Sequence, residues 1–399
     1  MLQTKCIVIT LLIALTSVQA QLVPFDIEFN GYQKGADTVI NSTHLASFFN
    51  KLTLLRSADT CRTQVNIVHI GDSHIQGDFL TRELRNALQL QFGNAGRGLI
   101  FPHRLARSNE SFDFRSVSSN RWQWASIRSR KPSLNPGLSG ISMFSNDDML
   151  ELSIHMTQRD SIDKSFDYVQ LICRNDSSPN IAFIETNANE RQLIGFASDT
   201  LYRIPFKEKA TQFSLQTSAK ITVDGFVLGK NAKGIQYHVI GINGAHYSDY
   251  NKYATFYAEL QLLQPDLVLI SLGTNEGVNA GITAQAVENE ASRMIANMRA
   301  ANISCPVALL TPFDNFYRRS KVNIHLNKVK QGICNAAQHN NIACIDMYSI
   351  SGGQSSAIQW RNQGLITSDR IHYNVSGYRL QGKMIFNTLI NSYLAHVQY

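Results

Sequence analysis

Short apolar runs that end in glycine alternate with helical stretches along this chain, and that rhythm constrains the fold more than any other feature. Val65-Asn66-Ile67-Val68-His69-Ile70 ends at Gly71, and Leu80, Leu84 and Leu88 follow at helical spacing. The run 237–242 passes into Gly-rich chain, and 267–272 ends at Gly273. Two more runs lie at 307–310 and 342–345. Helical patterns occupy 284–300 and 322–338, and a last one lies near 377–393. Continuously apolar strands joined through helices belong in a parallel sheet covered on both faces, because a strand with one wet face would alternate instead.

The rhythm stops between about 104 and 236. Ser/Asn-rich turns, a turn cluster at 132–140 and short alternating runs at 149–154, 168–173, 181–185 and 220–227 take its place. Several short strands at this spacing predict a β-sandwich. The expected organisation is an α/β/α sandwich built from 61–103 and 237–399, with a β domain inserted at 104–236. A lead-in at 21–60 carries one helix near 43–55.

Residues 1–20 read as a secretory signal peptide: Lys5, an apolar run over 6–15, and Val18-Gln19-Ala20 ending in a small residue. That run is shorter than the roughly 20 residues a membrane span needs, and no later stretch reaches spanning length. The expected protein is exported, periplasmic or secreted. With 44% apolar residues in 399, it is neither disordered nor too small to bury a core. Charged residues are only 17%, against the roughly 25% usual for soluble proteins. The 37 Lys+Arg against 30 Asp+Glu suit an anionic cell envelope or simply a mildly basic surface. No basic run interleaved with aromatics points to nucleic acid. Beyond the leader, Cys61, Cys173, Cys305, Cys334 and Cys344 show no Cys-x-x-Cys, so neither a zinc ribbon nor a redox motif is indicated. They read as mostly buried thiols with room for one disulfide. No oligomeric state follows from the sequence.

Ligands of a doubly wound sheet bind beyond the carboxyl ends of its strands. Gly71-Asp72-Ser73-His74 follows the first run, Asn243-Gly244-Ala245 the second, and Gly273-Thr274-Asn275-Glu276 the third; Asp369-Arg370-Ile371-His372 precedes the last helix. The set fits acyl transfer. A serine hydroxyl is a weak nucleophile until a base takes its proton; His372 is placed to be that base and Asp369 to orient it. The Ser73 and Gly244 N–H groups and the Asn275 amide would hold the oxyanion. Taken singly, each element is also ordinary punctuation of an α/β fold: a capped turn or a loop glycine.

Together these blocks resemble the SGNH, or GDSL-type, hydrolases, which carry a Ser, a Gly, an Asn and an Asp-x-x-His in this order. The resemblance spans roughly 61–103 and 237–399. It implies a flavodoxin-like fold and serine esterase activity with no metal and no cofactor. Gly-Asp-Ser-His-Ile-Gln, then Gly96-Arg97-Gly98-Leu99 and an inserted β domain, resemble the peptidoglycan O-acetylesterase branch. There the insert is similar to a carbohydrate-binding module. His74 stands where the commonest form of the first block has Leu, and Glu276 where many relatives have Asp. The implied partner is an O-acetylated polysaccharide, with peptidoglycan first. Another acetylated glycan such as xylan or an exopolysaccharide, a lipid or thioester substrate, or an inactive glycan-binding protein are the alternatives.

Lesser candidates for substrate contact are His74, Gln76, Arg97 and Tyr247; single polar residues in loops, as the last three are, more often serve structure. Trp122 and Trp124 sit two apart, so a strand would place both on one face, to stack on sugar or to fill a sandwich core. There is no Gly-x-Ser-x-Gly elbow, no His-Glu-x-x-His and no phosphate-binding loop. His69, His74, His103 and His246 have no metal-ligand spacing.

Overall fold

The structure is a computed structural model and describes residues 22–57, 64–158, 160–175, 180–196 and 200–398. The expected leader at 1–20 and Cys61 lie outside the described residues.

Five parallel strands form the central sheet, in the spatial order Gly234–Gly241, Gln64–Gly71, Leu267–Ser271, Val307–Leu310, Ala343–Ile345. Numbered along the chain, that is 2-1-3-4-5. The order reverses beside the first strand, so the crevice at its carboxyl end is the topological switch point. Period-two alternation divides the apolar side chains between two cores. Val65, Ile67, Leu267 and Leu269 pack under the helices Ala46–Arg56, Phe79–Phe92 and Val375–Val397. Val68, Ile70, Val268 and Ile270 face the other way. The expected leucines all serve: Leu80, Leu84 and Leu88 are buried on the helix that follows the first strand.

Two antiparallel sheets occupy the middle of the chain. One has six strands, including Phe166–Asn175, Leu201–Ala210 and Ile221–Gly229; the other has five, centred on Gln212–Thr217. Phe166, Phe213 and Phe226 lie in the core between them, and the same core continues to Val68, Ile70 and Ile240 of the parallel sheet. The insert therefore shares its core with one face of the α/β part. The strand Gly98–Ile100, ahead of residue 104, already pairs with Phe226–Leu228 of the antiparallel sheet.

Four described cysteines are free thiols, Cys173, Cys305, Cys334 and Cys344. The Cys334 and Cys344 sulfurs lie 3.3 Å apart. Among the described residues no helix is long and apolar enough to cross a membrane.

Candidate active site

The first strand ends at Gly71, and the chain turns at once into the short helix Ser73–Gln76. Asp72 caps that helix by accepting from the His74 N–H at 3.0 Å, which fixes Ser73 in its first turn. The helix packs directly on the end of the second strand. A Cβ on Gly241 would lie 2.4 Å from the Gln76 nitrogen, so only glycine permits this approach. Ser73 Oγ sits 2.8 Å from His372 Nε2, although 299 residues separate them. His372 Nδ1 sits 2.8 Å from Asp369 Oδ2. The other Asp369 oxygen accepts from the Ile371 and His372 N–H groups and from the Thr367 hydroxyl. Burial pushes the Asp369 carboxyl up, but those hydrogen bonds outweigh it and hold it well below the usual carboxylate range. An ionised carboxylate only accepts, so Nδ1 carries the imidazole proton and Nε2 presents its lone pair to the serine hydroxyl. This arrangement can activate a serine for attack on an acyl carbon.

Gly244 and Asn275 close the other side. Gly244 turns at φ 74°, a left-handed conformation that favours glycine. The Asn275 amide nitrogen donates to the Ala245 carbonyl at 2.9 Å and makes a longer contact of 3.3 Å with Asp72 Oδ2. Burial pushes Asp72 up to about 7. Ser73, His372, Gly244 and Asn275 line one cavity of about 390 Å³, with His74 and Tyr378. A larger cleft of about 610 Å³ lies at the opposite edge, among His44, Asn302, Cys305 and Pro306. Among the described residues no serine or cysteine there is hydrogen-bonded to a histidine, whereas Ser73 in the smaller cavity is.

Residues 226–380 match the GDSL-like Lipase/Acylhydrolase family. A comparison with curated protein sequences finds no match. A solved structure of a peptidoglycan O-acetylesterase is 21% identical and superposes with a TM-score of 0.74, over 88% of this chain and 96% of that one. A lipase/acylhydrolase from Enterococcus faecalis is 19% identical, with a TM-score of 0.31, over 40% of this chain and 77% of its own. A family two carbohydrate esterase from Cellvibrio japonicus is 8% identical, with a TM-score of 0.23, over 57% and 86%. Over residues 226–380 the chain is thus similar to the GDSL-like hydrolases. Its fold is the α/β/α sandwich of that family with an added antiparallel β part.

The lesser candidates divide around this site. His74 does line the cavity. Its ring lies 5.0 Å from the His372 ring, its Nδ1 is 3.1 Å from the Tyr378 hydroxyl, and its Nε2 is shielded and unpartnered. Burial, with the nearby His372 second, pushes its pKa down to about 3, so it stays neutral beside the imidazole of His372. Gln76 is a correction. It is buried, donates to the Ser108 hydroxyl and the Asn109 carbonyl, and accepts from the Asn243 N–H at 2.7 Å. Every polar end is used in clamping loops, so it positions Gly244 rather than touching substrate. Arg97 is a second correction. Its guanidinium is buried against Asp78 and Asp113, at 2.8 and 2.6 Å. Tyr247 is fully buried. Trp122 is partly buried against the core with its indole N–H on the Ser118 hydroxyl, and Trp124 is 40% exposed; neither lines the cavity. Among the described residues no group of three or more His, Cys, Asp or Glu could hold a metal. Thr367 was not anticipated, because a threonine two residues ahead of an aspartate carries no signal of its own.

Proposed function

We propose that this chain is an exported serine esterase that removes O-acetyl groups from a cell-wall glycan, with peptidoglycan as the first candidate. The observation that carries this reading is the continuous hydrogen-bonded line Ser73–His372–Asp369, opening into a cavity shared with Gly244 and Asn275. Ser73 Oγ attacks the acetyl carbonyl while its proton passes to His372 Nε2. Asp369 holds the imidazole and stabilises its cation. The tetrahedral oxyanion takes hydrogen bonds from the Ser73 and Gly244 N–H groups and the Asn275 amide. Collapse expels the sugar oxygen, which takes the proton from His372. Water then gives a proton to His372 and attacks the acetyl-serine; acetate leaves, and Ser73 recovers its proton.

The peptidoglycan substrate is supported by the fold likeness to a peptidoglycan O-acetylesterase across both the α/β and the β parts. Export is supported by the leader-like first twenty residues. Acetate release from O-acetylated peptidoglycan, measured beside acetylated xylan, tests the reading. The wild type should release acetate faster from peptidoglycan, and Ser73→Ala should release none above background. Absence of Ser73-dependent hydrolysis of any acetyl ester, p-nitrophenyl acetate included, would sink the esterase. A preference for xylan would sink the substrate alone.

A further inference from the structure

Two residues of the β part come near the cavity: Asn109 lines it, and the charged side chain of Arg128 lies beside Gly244, one of its lining residues. Arg128 sits in the turn after the strand Gln123–Ser126, which is closed by Ser129 N–H on the Ser126 carbonyl and anchored by the fully buried Ile127. From there its guanidinium extends across to the loop after the second parallel strand. Nη1 donates to Asp249 Oδ2 at 3.0 Å. Asp249 is itself held by the His246 N–H and by Lys252 at 2.7 Å, so its position is fixed from the α/β side. The remaining edge of the guanidinium faces Gly244. A Cβ on Gly244 would lie 3.6 Å from Arg128 Nε and 3.8 Å from Nη2.

Those two nitrogens make no hydrogen bond within the described residues, and the side chain is 44% exposed. A fixed guanidinium with its Nε/Nη2 edge open presents two parallel donors, the fork that matches a carboxylate. Neighbouring charge does not cancel it. Asp249 is shared between Arg128, Lys252 and His246. Glu276, near this loop, is buried and spends one oxygen on the Tyr247 N–H.

We infer that Arg128 is a substrate-binding residue supplied by the inserted β part, and that it selects acetyl esters whose alcohol portion carries a carboxylate. This rests on the esterase reading above, because it places the acetyl carbonyl at Gly244 and hence the alcohol portion beside the guanidinium. It also gives the insert a role at the site that needs no separate sugar-binding surface.

Two small esters test it: 6-O-acetyl-N-acetylmuramic acid, which bears a carboxylate, and 6-O-acetyl-N-acetylglucosamine, which does not. The wild type should favour the acidic ester in kcat/KM, and the preference should shrink between 50 and 500 mM salt. Arg128→Gln should lower the acidic-to-neutral ratio about 10-fold, mainly through KM. Arg128→Lys should recover only part of it, since an ammonium keeps the charge and loses the fork. An equal fall on both esters, or no change in the ratio, overturns the inference and leaves Arg128 a brace for Asp249. A wild type that hydrolyses both esters without preference overturns it with no variant needed, while the esterase stands. A wild type that hydrolyses neither ester overturns this inference, and the esterase reading falls with it only if p-nitrophenyl acetate shows no Ser73-dependent hydrolysis either.

Discussion

Replacing Arg97 with methionine removes one of two guanidinium groups from a buried cluster. Arg85 grips both oxygens of Asp78 at 3.0 Å and reaches Asp113 at 2.9 Å. Arg97 bonds the same two carboxylates, and the Ser111 hydroxyl stitches them together. All four charged side chains are between 1% and 3% exposed. With Arg97 gone, Arg85 is the one cation left bonded to the two carboxylates where water cannot reach; the buried Lys164 also acts on Asp113, but its bond goes to Asp160. Breaking a buried pair from one side costs about 3–5 kcal/mol, against a typical total stability of about 5–15 kcal/mol. Adding Asp113→Asn removes the surplus charge and should return at least about 2 kcal/mol of that loss.

The pH dependence sharpens the test. In the wild type, burial raises Asp78 and Asp113 but the two arginines more than reverse it, so both are held below their usual range. A carboxylate depressed in the folded state stabilises it above the unfolded pKa, and that contribution disappears only as pH falls below about 4. It is therefore constant between pH 7 and 5. In the variant, burial is no longer fully opposed and a carboxyl pKa rises in the folded state. The folded form then binds a proton that the unfolded form does not, so stability rises as pH falls, by up to about 1.4 kcal/mol per unit. Urea denaturation followed by circular dichroism at pH 7 and pH 5 reads both effects. A loss under about 1 kcal/mol, or an equal loss at the two pH values, would refute the reasoning.

Two further outcomes are expected. Gly241→Ala drives a Cβ to within 2.4 Å of the Gln76 nitrogen, so the Ser73 helix must shift; kcat on p-nitrophenyl acetate should fall by about 100-fold with the fold retained by circular dichroism, and a near-normal kcat would contradict this packing. His103 is buried with Nδ1 unpartnered, and burial pushes its pKa down to about 4. The wild type therefore loses stability as pH falls below the unfolded value near 6.5, a loss His103→Gln escapes. The variant should gain about 2 kcal/mol relative to wild type between pH 7.5 and pH 5, and a difference independent of pH would refute a neutral buried imidazole.

The elements that declare themselves in the sequence are those whose environment is the same on both sides. The parallel strands are covered on both faces, so their apolar runs are continuous. The helix predicted at 284–300 is observed as Ala284–Ala300. The β part is less legible. Leu201–Ala210 contains Pro205 and the charged triplet Lys207-Glu208-Lys209, neither of which signals a strand. The strand lies at the edge of its sheet, where proline and exposed charge are tolerated. Gly98–Ile100 and Phe114–Val117 are too short to show a period.

The site divides along a similar line. Ser73, Gly244, Asn275, Asp369 and His372 stand out because each follows a strand or precedes the last helix, and topology alone gathers such positions at one edge. For Gln76 and Arg97 the sequence leaves substrate contact and a structural role both open, because burial of a polar side chain depends on partners elsewhere in the chain: Asn243 for the first, Asp113 for the second. Arg128 gives no signal at all. It lies more than a hundred residues from Gly244 and meets it only because the insert's core is continuous with Val68, Ile70 and Ile240. An insertion tethered by flexible linkers could not hold a guanidinium beside the Gly244 loop. One that shares its core with the sheet can, and that shared core is what holds Arg128 beside Gly244.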